Sequence, residues 1–334
     1  MKVVLAFISL TLISFIPKED KGFDPCNNPN NWGFYGHRRI NELAIYTLPE
    51  EMFGFYKANA DFIIEHAVDP DKRRYGVKGE AECHYIDMDK YCFGEKDCDP
   101  FENVPKRWND AVAKFTEDTL RAHGIVPWHV NLMLFKLTKA FEEENLTRIL
   151  HLSAEIGHYI GDAHVPLHTT SNYNGQKTNQ RGIHGFWESR LPELYDQRYD
   201  FFVGKAEYLD RPLDFIWGKV KESYNAVDSV LVFERELNSD FESDRKYTYE
   251  VRGQAQIKVY SEDYSSAYHT MLAGQVERRM KSAVLSIGSY WYTAWVNAGQ
   301  PDLSKFIKPT KELGKFEPEV AGGKADSLRI RDHE

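Results

Sequence analysis

The stretch ILHLSAEIGHYIGDAHVPLHTT, residues 149–170, decides the fold class because it carries two patterns at once. Ile149, Leu152, Ile156, Tyr159, Ile160 and Ala163 recur at helical intervals, the buried face of an α-helix that must end before Pro166. A second stripe, offset from the first, is polar: His151, Glu155, His158 and Asp162, so that His158 and Asp162 are neighbours on one face and can grip one ion. A His-x-x-x-Asp pair by itself is more often a solvated face. Gly157 and Gly161 argue against that, since each costs about 1 kcal/mol relative to Ala inside a helix. Glycines four apart suit a helix approached closely by another backbone, so the polar stripe is expected to be covered. His168 follows just past the proline, placed to reach back toward the helix end.

Outward from this stretch, the chain reads as helix after helix. From Leu213 the apolar positions Ile216, Trp217, Val220, Tyr224, Val227 and Leu231 keep a steady helical period, and segments near 38–47, 107–122, 130–143 and 265–298 behave alike. Turn-rich stretches at 70–105 and 170–183 separate them. Little sustained period-two alternation is visible, so the class is all-α, a single mostly helical domain over 32–305. A leader and extension (1–31) precede it, and a Lys-, Glu- and Gly-rich, loosely attached tail (306–334) follows.

At 334 residues with 14% aromatics, the chain can bury a large core. Its net charge of −9 argues against a partner held by electrostatics alone, such as duplex DNA, so no stable nucleic-acid partner is expected. No apolar run reaches the roughly 18 residues of a membrane span, and the chain is expected to act as a monomer. The N-terminus MKVVLAFISLTLISFIPKED has the proportions of a secretory leader, which makes an exported protein the expectation. Cys26, Cys83, Cys92 and Cys98 suit an oxidising compartment; three pairings are open, with Cys92 and Cys98 closest in sequence.

A second His-x-x-x-carboxylate pair, His184 and Glu188, occurs in GIHGFWESRL. WGFYGHRR adds Trp32 and His37, HAVDPDKRR adds Asp69, and CHYIDMD adds His84. Five histidines and three carboxylates are too many for one four-coordinate zinc and suit three. The ordered set WGFYGH, Asp69, HYID, HYIGDAHVPLH and GIHGFWE resembles the zinc-dependent phospholipase C and P1/S1 nuclease superfamily, whose members are mostly helical and hold three zinc ions. Each motif is weak alone; all five in order are specific.

The resemblance implies one zinc on Asp69, His84, His158 and Asp162 and a second on His168, His184 and Glu188. A third would be held by His37, a bridging Asp162, and the amine and carbonyl of Trp32. That last ligand requires Trp32 to begin the mature chain, because an amide nitrogen has no lone pair to offer. Paired metals of this kind activate water and neutralise charge in hydrolysis at phosphorus. Asp162 would hold such a pair together, Asp69 would take a proton during attack, and Lys72, Arg73 or Arg74 would add positive charge. Glu188 resembles the phospholipase branch. The step from Trp32 to His37 and the HYID run resemble the nucleases, in which Tyr85 would stack a base and Asp87 would hydrogen-bond it. The reading placed first is phospholipase C-like cleavage of a phospholipid headgroup. The alternative is a single-strand nuclease or 3′-nucleotidase, and a metal-binding protein without turnover stands third. His66, His123, His129, His151 and His269 are assigned to structure or solvent, and His164 is left out of the ligand set. The aromatic run YWYTAWV, 290–296, is read as core.

Overall fold

The computed structural model describes residues 34–92, 97–252 and 255–306. Trp32, Cys26, the leader and the tail beyond Phe306 therefore lie outside the described residues. In chain order the helices are α1 (Phe34–Ala44), α2 (Glu50–Ala58), α3 (Ala60–His66), α4 (Asp69–Arg73), α5 (Pro100–Asn103), α6 (Trp108–Phe115) and α7 (Glu117–Ala122). They continue with α8 (Val126–Glu142), α9 (Leu146–Ala163), α10 (Ile183–Gly185), α11 (Leu191–Tyr195), α12 (Pro212–Asp240), α13 (Glu262–Met271) and α14 (Gln275–Asn297).

The two-striped stretch forms α9. Asn145 caps its start, accepting the Arg148 backbone N–H at 3.1 Å. Pro166 stops it after His164, as its missing donor and fixed φ require. The helix is buried along most of its length: α8 returns along one flank through a short connection, and α1, α3 and α14 close the others. Tyr56 stacks on Trp291 with ring centroids 4.7 Å apart, and the Trp291 indole donates to the Ser153 carbonyl at 3.0 Å. Tyr290, Trp291 and Trp295 of the 290–296 run are buried, which makes that run core.

The glycines of α9 are crowded by side chains rather than by another backbone. A Cβ on Gly157 would lie 1.9 Å from Asn41 Oδ1, and one on Gly161 would lie 2.9 Å from His37 Nδ1. Both neighbours belong to α1, so the two glycines are what lets α1 lie against the polar stripe.

Three sequence expectations need refinement. The segment 107–122 is two helices, broken at Thr116 with φ +71°. The segment 265–298 is likewise two, broken at Ala273 and Gly274, both with positive φ. A small antiparallel hairpin, β1 (Tyr247–Arg252) and β2 (Ala255–Tyr260), interrupts the helices and packs Ile257, Val259 and Tyr260 inward. Cys92 is disulfide-bonded to Cys98, and Cys83 is buried with no disulfide partner among the described residues. Among the described residues no helix is long and apolar enough to cross a membrane.

Candidate metal centre

Separate elements deliver side chains to the buried end of α9. Helix α1 brings His37, α4 brings Asp71, and the turn following α4 brings His84. Helix α9 itself supplies His158 and Asp162, the turn after Pro166 supplies His168, and the segment starting at α10 supplies His184 and Glu188. The five histidines and Asp162 are all buried.

Three donor groups result, joined through the carboxylates. In the first, His84 Nδ1 lies 3.1 Å from His158 Nε2, and Asp162 Oδ2 lies 3.0 and 3.3 Å from those two nitrogens. Asp71 Oδ1 completes the group at 3.6 and 3.5 Å from the same nitrogens. A tetrahedral ion with ligands at roughly 2.0–2.1 Å separates its ligand atoms by about 3.3 Å, and these contacts scatter around that edge length. In the second group His184 Nε2 lies 3.1 Å from His168 Nε2 and 2.6 Å from Glu188 Oε2, which is itself 3.5 Å from His168 Nε2. In the third, His37 Nε2 stands 3.4 Å from both Asp162 Oδ1 and Glu188 Oε1. Each of these two carboxylates thus turns one oxygen to His37 and the other to its own pair of histidines.

Two of the remaining ring nitrogens are hydrogen-bonded so that the other nitrogen of the ring faces inward. His158 Nδ1 donates to the Ala67 carbonyl at 2.9 Å and His168 Nδ1 to the His84 carbonyl at 2.6 Å. His84 Nε2 faces Glu80 Oε1 at 3.4 Å. Backbone carbonyls and a carboxylate behind the ligating rings are what fix tautomer and orientation in metal sites. Glu188 sits on a π-helical turn, Phe186–Arg190. Such turns widen a helix by one residue and are frequent at functional positions.

The buried carboxylates and imidazoles of this cluster perturb one another strongly. Burial alone would raise the Asp162 and Glu188 carboxyls, but the surrounding histidines hold both well below their ordinary range. Burial works against a proton on His37, yet Asp162 and Glu188 raise it well above an ordinary imidazole. A buried set of carboxylates that must recruit a proton to balance itself fits a divalent ion in that proton's place.

Asp69, the expected ligand, is not in this cluster. The structure puts Asp71 there, two residues on, while Asp69 turns outward to His66 Nδ1 at 2.5 Å and Lys72 Nζ at 2.8 Å. The basic run divides three ways. Lys72 binds Asp69, Arg73 is held among Glu80, Glu155 and Tyr159, and Arg74 points inward with Nη1 3.9 Å from Asp71 Oδ1. Arg74 is buried, and its Nε and Nη2 have no hydrogen-bond partner among the described residues. Tyr85 and Asp87 are 4% and 8% exposed, clamped by backbone bonds from Ile86 to His168 and from Asp87 to His123. His164 faces the other way, between the Ile160 carbonyl and Ser286 Oγ. Trp32 falls outside the described residues. Neither the family models nor the curated proteins contain a match to this chain.

Proposed function

We propose that this chain is an exported, zinc-dependent phosphodiester hydrolase of the superfamily its motifs resemble, acting on phospholipid headgroups. The observation that carries the reading is the convergence of five imidazoles and three carboxylates at the buried end of α9, at separations that suit tetrahedral ions. Asp71, His84, His158 and Asp162 would hold one ion, and His168, His184 and Glu188 a second. His37 would hold a third with the facing oxygens of Asp162 and Glu188, and the resemblance adds Trp32. Bound zinc ions supply Lewis acidity and a water acidic enough to attack near neutral pH. The chain's own groups do the positioning. Arg74 offers two buried N–H groups beside Asp71 for a phosphate oxygen. Asp71, the ligand of the first group with appreciable side-chain exposure at 22%, takes over the proton-accepting role expected of Asp69.

Two observations support a lipid headgroup. Tyr85 is too buried to offer its ring face to an unstacked base, where stacking is worth about 1–3 kcal/mol. A small, mostly apolar recess lined by Ile40, Val165, Trp187, Pro192 and Met280, with His164 and Arg279 also in its wall, abuts His37 and Glu188. A single-strand nuclease is the second reading, favoured by the order of residues in HYID. One purified preparation decides between them when assayed with and without chelator on phosphatidylcholine micelles, single-stranded DNA and a small chromogenic diester. Chelator-sensitive lipid hydrolysis is expected. Strong DNA cleavage with negligible lipid hydrolysis selects the nuclease, and activity undiminished after full metal removal overturns both.

A further inference from the structure

The polar stripe of α9 does not end at the buried cluster. His151 lies seven residues before His158, about 10 Å along the helix axis, and meets His66 from the end of α3 and Asp69 from the start of α4. One donor atom from each of His66, Asp69 and His151 lies within 4.8 Å of the other two, in a half-exposed patch. His66 Nδ1 and Asp69 Oδ2 are 2.5 Å apart, and the two imidazole rings sit edge to face with centroids 4.8 Å apart. Phe62, one turn before His66, backs both rings at 4.0 and 4.8 Å, fixing them with an apolar wall. Asp69 is divided in its loyalties: Oδ2 faces the histidines while Oδ1 accepts from Lys72 Nζ at 2.8 Å. An ion entering between His66 and Oδ2 therefore leaves Lys72 in place as the outer partner that orients the carboxylate.

We propose that His66, Asp69 and His151 form a separate, exchangeable site for a zinc-class divalent ion. Two imidazoles and one carboxylate are a donor set for such ions, with the fourth position open to water. Arg73, bridging Glu155 and Glu80 between the two clusters, separates this site from the buried one. Half exposure and three ligands make this the weaker and faster-exchanging site.

The readout is metal content, so the outcome stands apart from the hydrolase reading. Full-length protein and His151→Ala are equilibrated in zinc-buffered solution and their metal measured by mass spectrometry. Wild type is expected to hold one ion more, and that ion is the first lost to a mild chelator. Because His151→Ala removes a ring packed on Phe62 and His66, the wild type is also titrated with zinc after its buried groups are filled, following imidazole nitrogen resonances. His66 and His151 signals shifting together with one saturation point are expected. Equal metal content in the two proteins, or His66 and His151 signals unmoved by zinc, overturns the site.

Discussion

Replacing each aspartate of the DPD turn by asparagine separates two roles that lie two residues apart. Asp71→Asn keeps the side-chain shape but removes a charged oxygen that stands 3.6 and 3.5 Å from His84 Nδ1 and His158 Nε2. Losing a partner merely behind a ligand typically costs 10–100-fold in metal affinity. Removing one of four ligands therefore sits at or above the top of that range, about 100-fold or 2.8 kcal/mol. Diester hydrolysis should fall by at least that factor when zinc is limiting. Asp69→Asn leaves that group intact, so the buried ions and the activity should stay within about twofold of wild type, while the outer ion is lost. Its effect is on stability instead. Burial opposes ionisation of Asp69, but His66 and Lys72 hold its carboxyl down to about 2. A carboxyl depressed on folding contributes stability above its unfolded pKa near 3.9 that is lost as pH falls toward 2, here on the order of 2 kcal/mol. Metal content and turnover of both variants, measured well below their melting temperatures, check this. If Asp69→Asn empties the buried cluster while Asp71→Asn spares it, the placement of these two residues is wrong.

Gly157→Ala gains about 1 kcal/mol of helix propensity. It also drives a methyl to 1.9 Å from Asn41 Oδ1 and strains the Asn41 bond to the His37 carbonyl, so urea melts should show a net loss of about 1–2 kcal/mol. Burial pushes His129 down to about 3, so the folded chain refuses a proton that the unfolded chain takes below pH 6.5; stability from this group is complete above 6.5 and lost as pH falls. Denaturant titrations should show wild type losing about 2 kcal/mol more than His129→Leu between pH 7 and pH 5, and equal losses refute the assignment. Arg74→Gln should lower diester turnover by about a hundredfold with metal content unchanged, since it removes a charged donor beside Asp71, where the proposed function puts a phosphate oxygen.

What the sequence displayed and what it hid follow from periodicity. The polar stripe of α9 was legible because a helix repeats its faces every three to four residues, and the same spacing paired His184 with Glu188. Asp69 and Asp71 flank Pro70 in the first turn of α4, a helix of 5 residues too short to show a repeating face, so nothing local says which carboxylate points inward; the packing of α4 against α9 decides it. Gly157 and Gly161 announced a close neighbour, yet whether backbone or side chain filled the space depended on where α1 would lie. The hairpin at 247–260 was missed because its alternation is brief and half exposed, and Thr116 because nothing in its side chain reports a positive φ. His151 is visible in the sequence, in register with Glu155, His158 and Asp162, although read there as structural or solvated. A stripe four residues deep is longer than a single ion can use. Its two ends therefore need separate explanations, and Arg73 on Glu155 supplies the division between them.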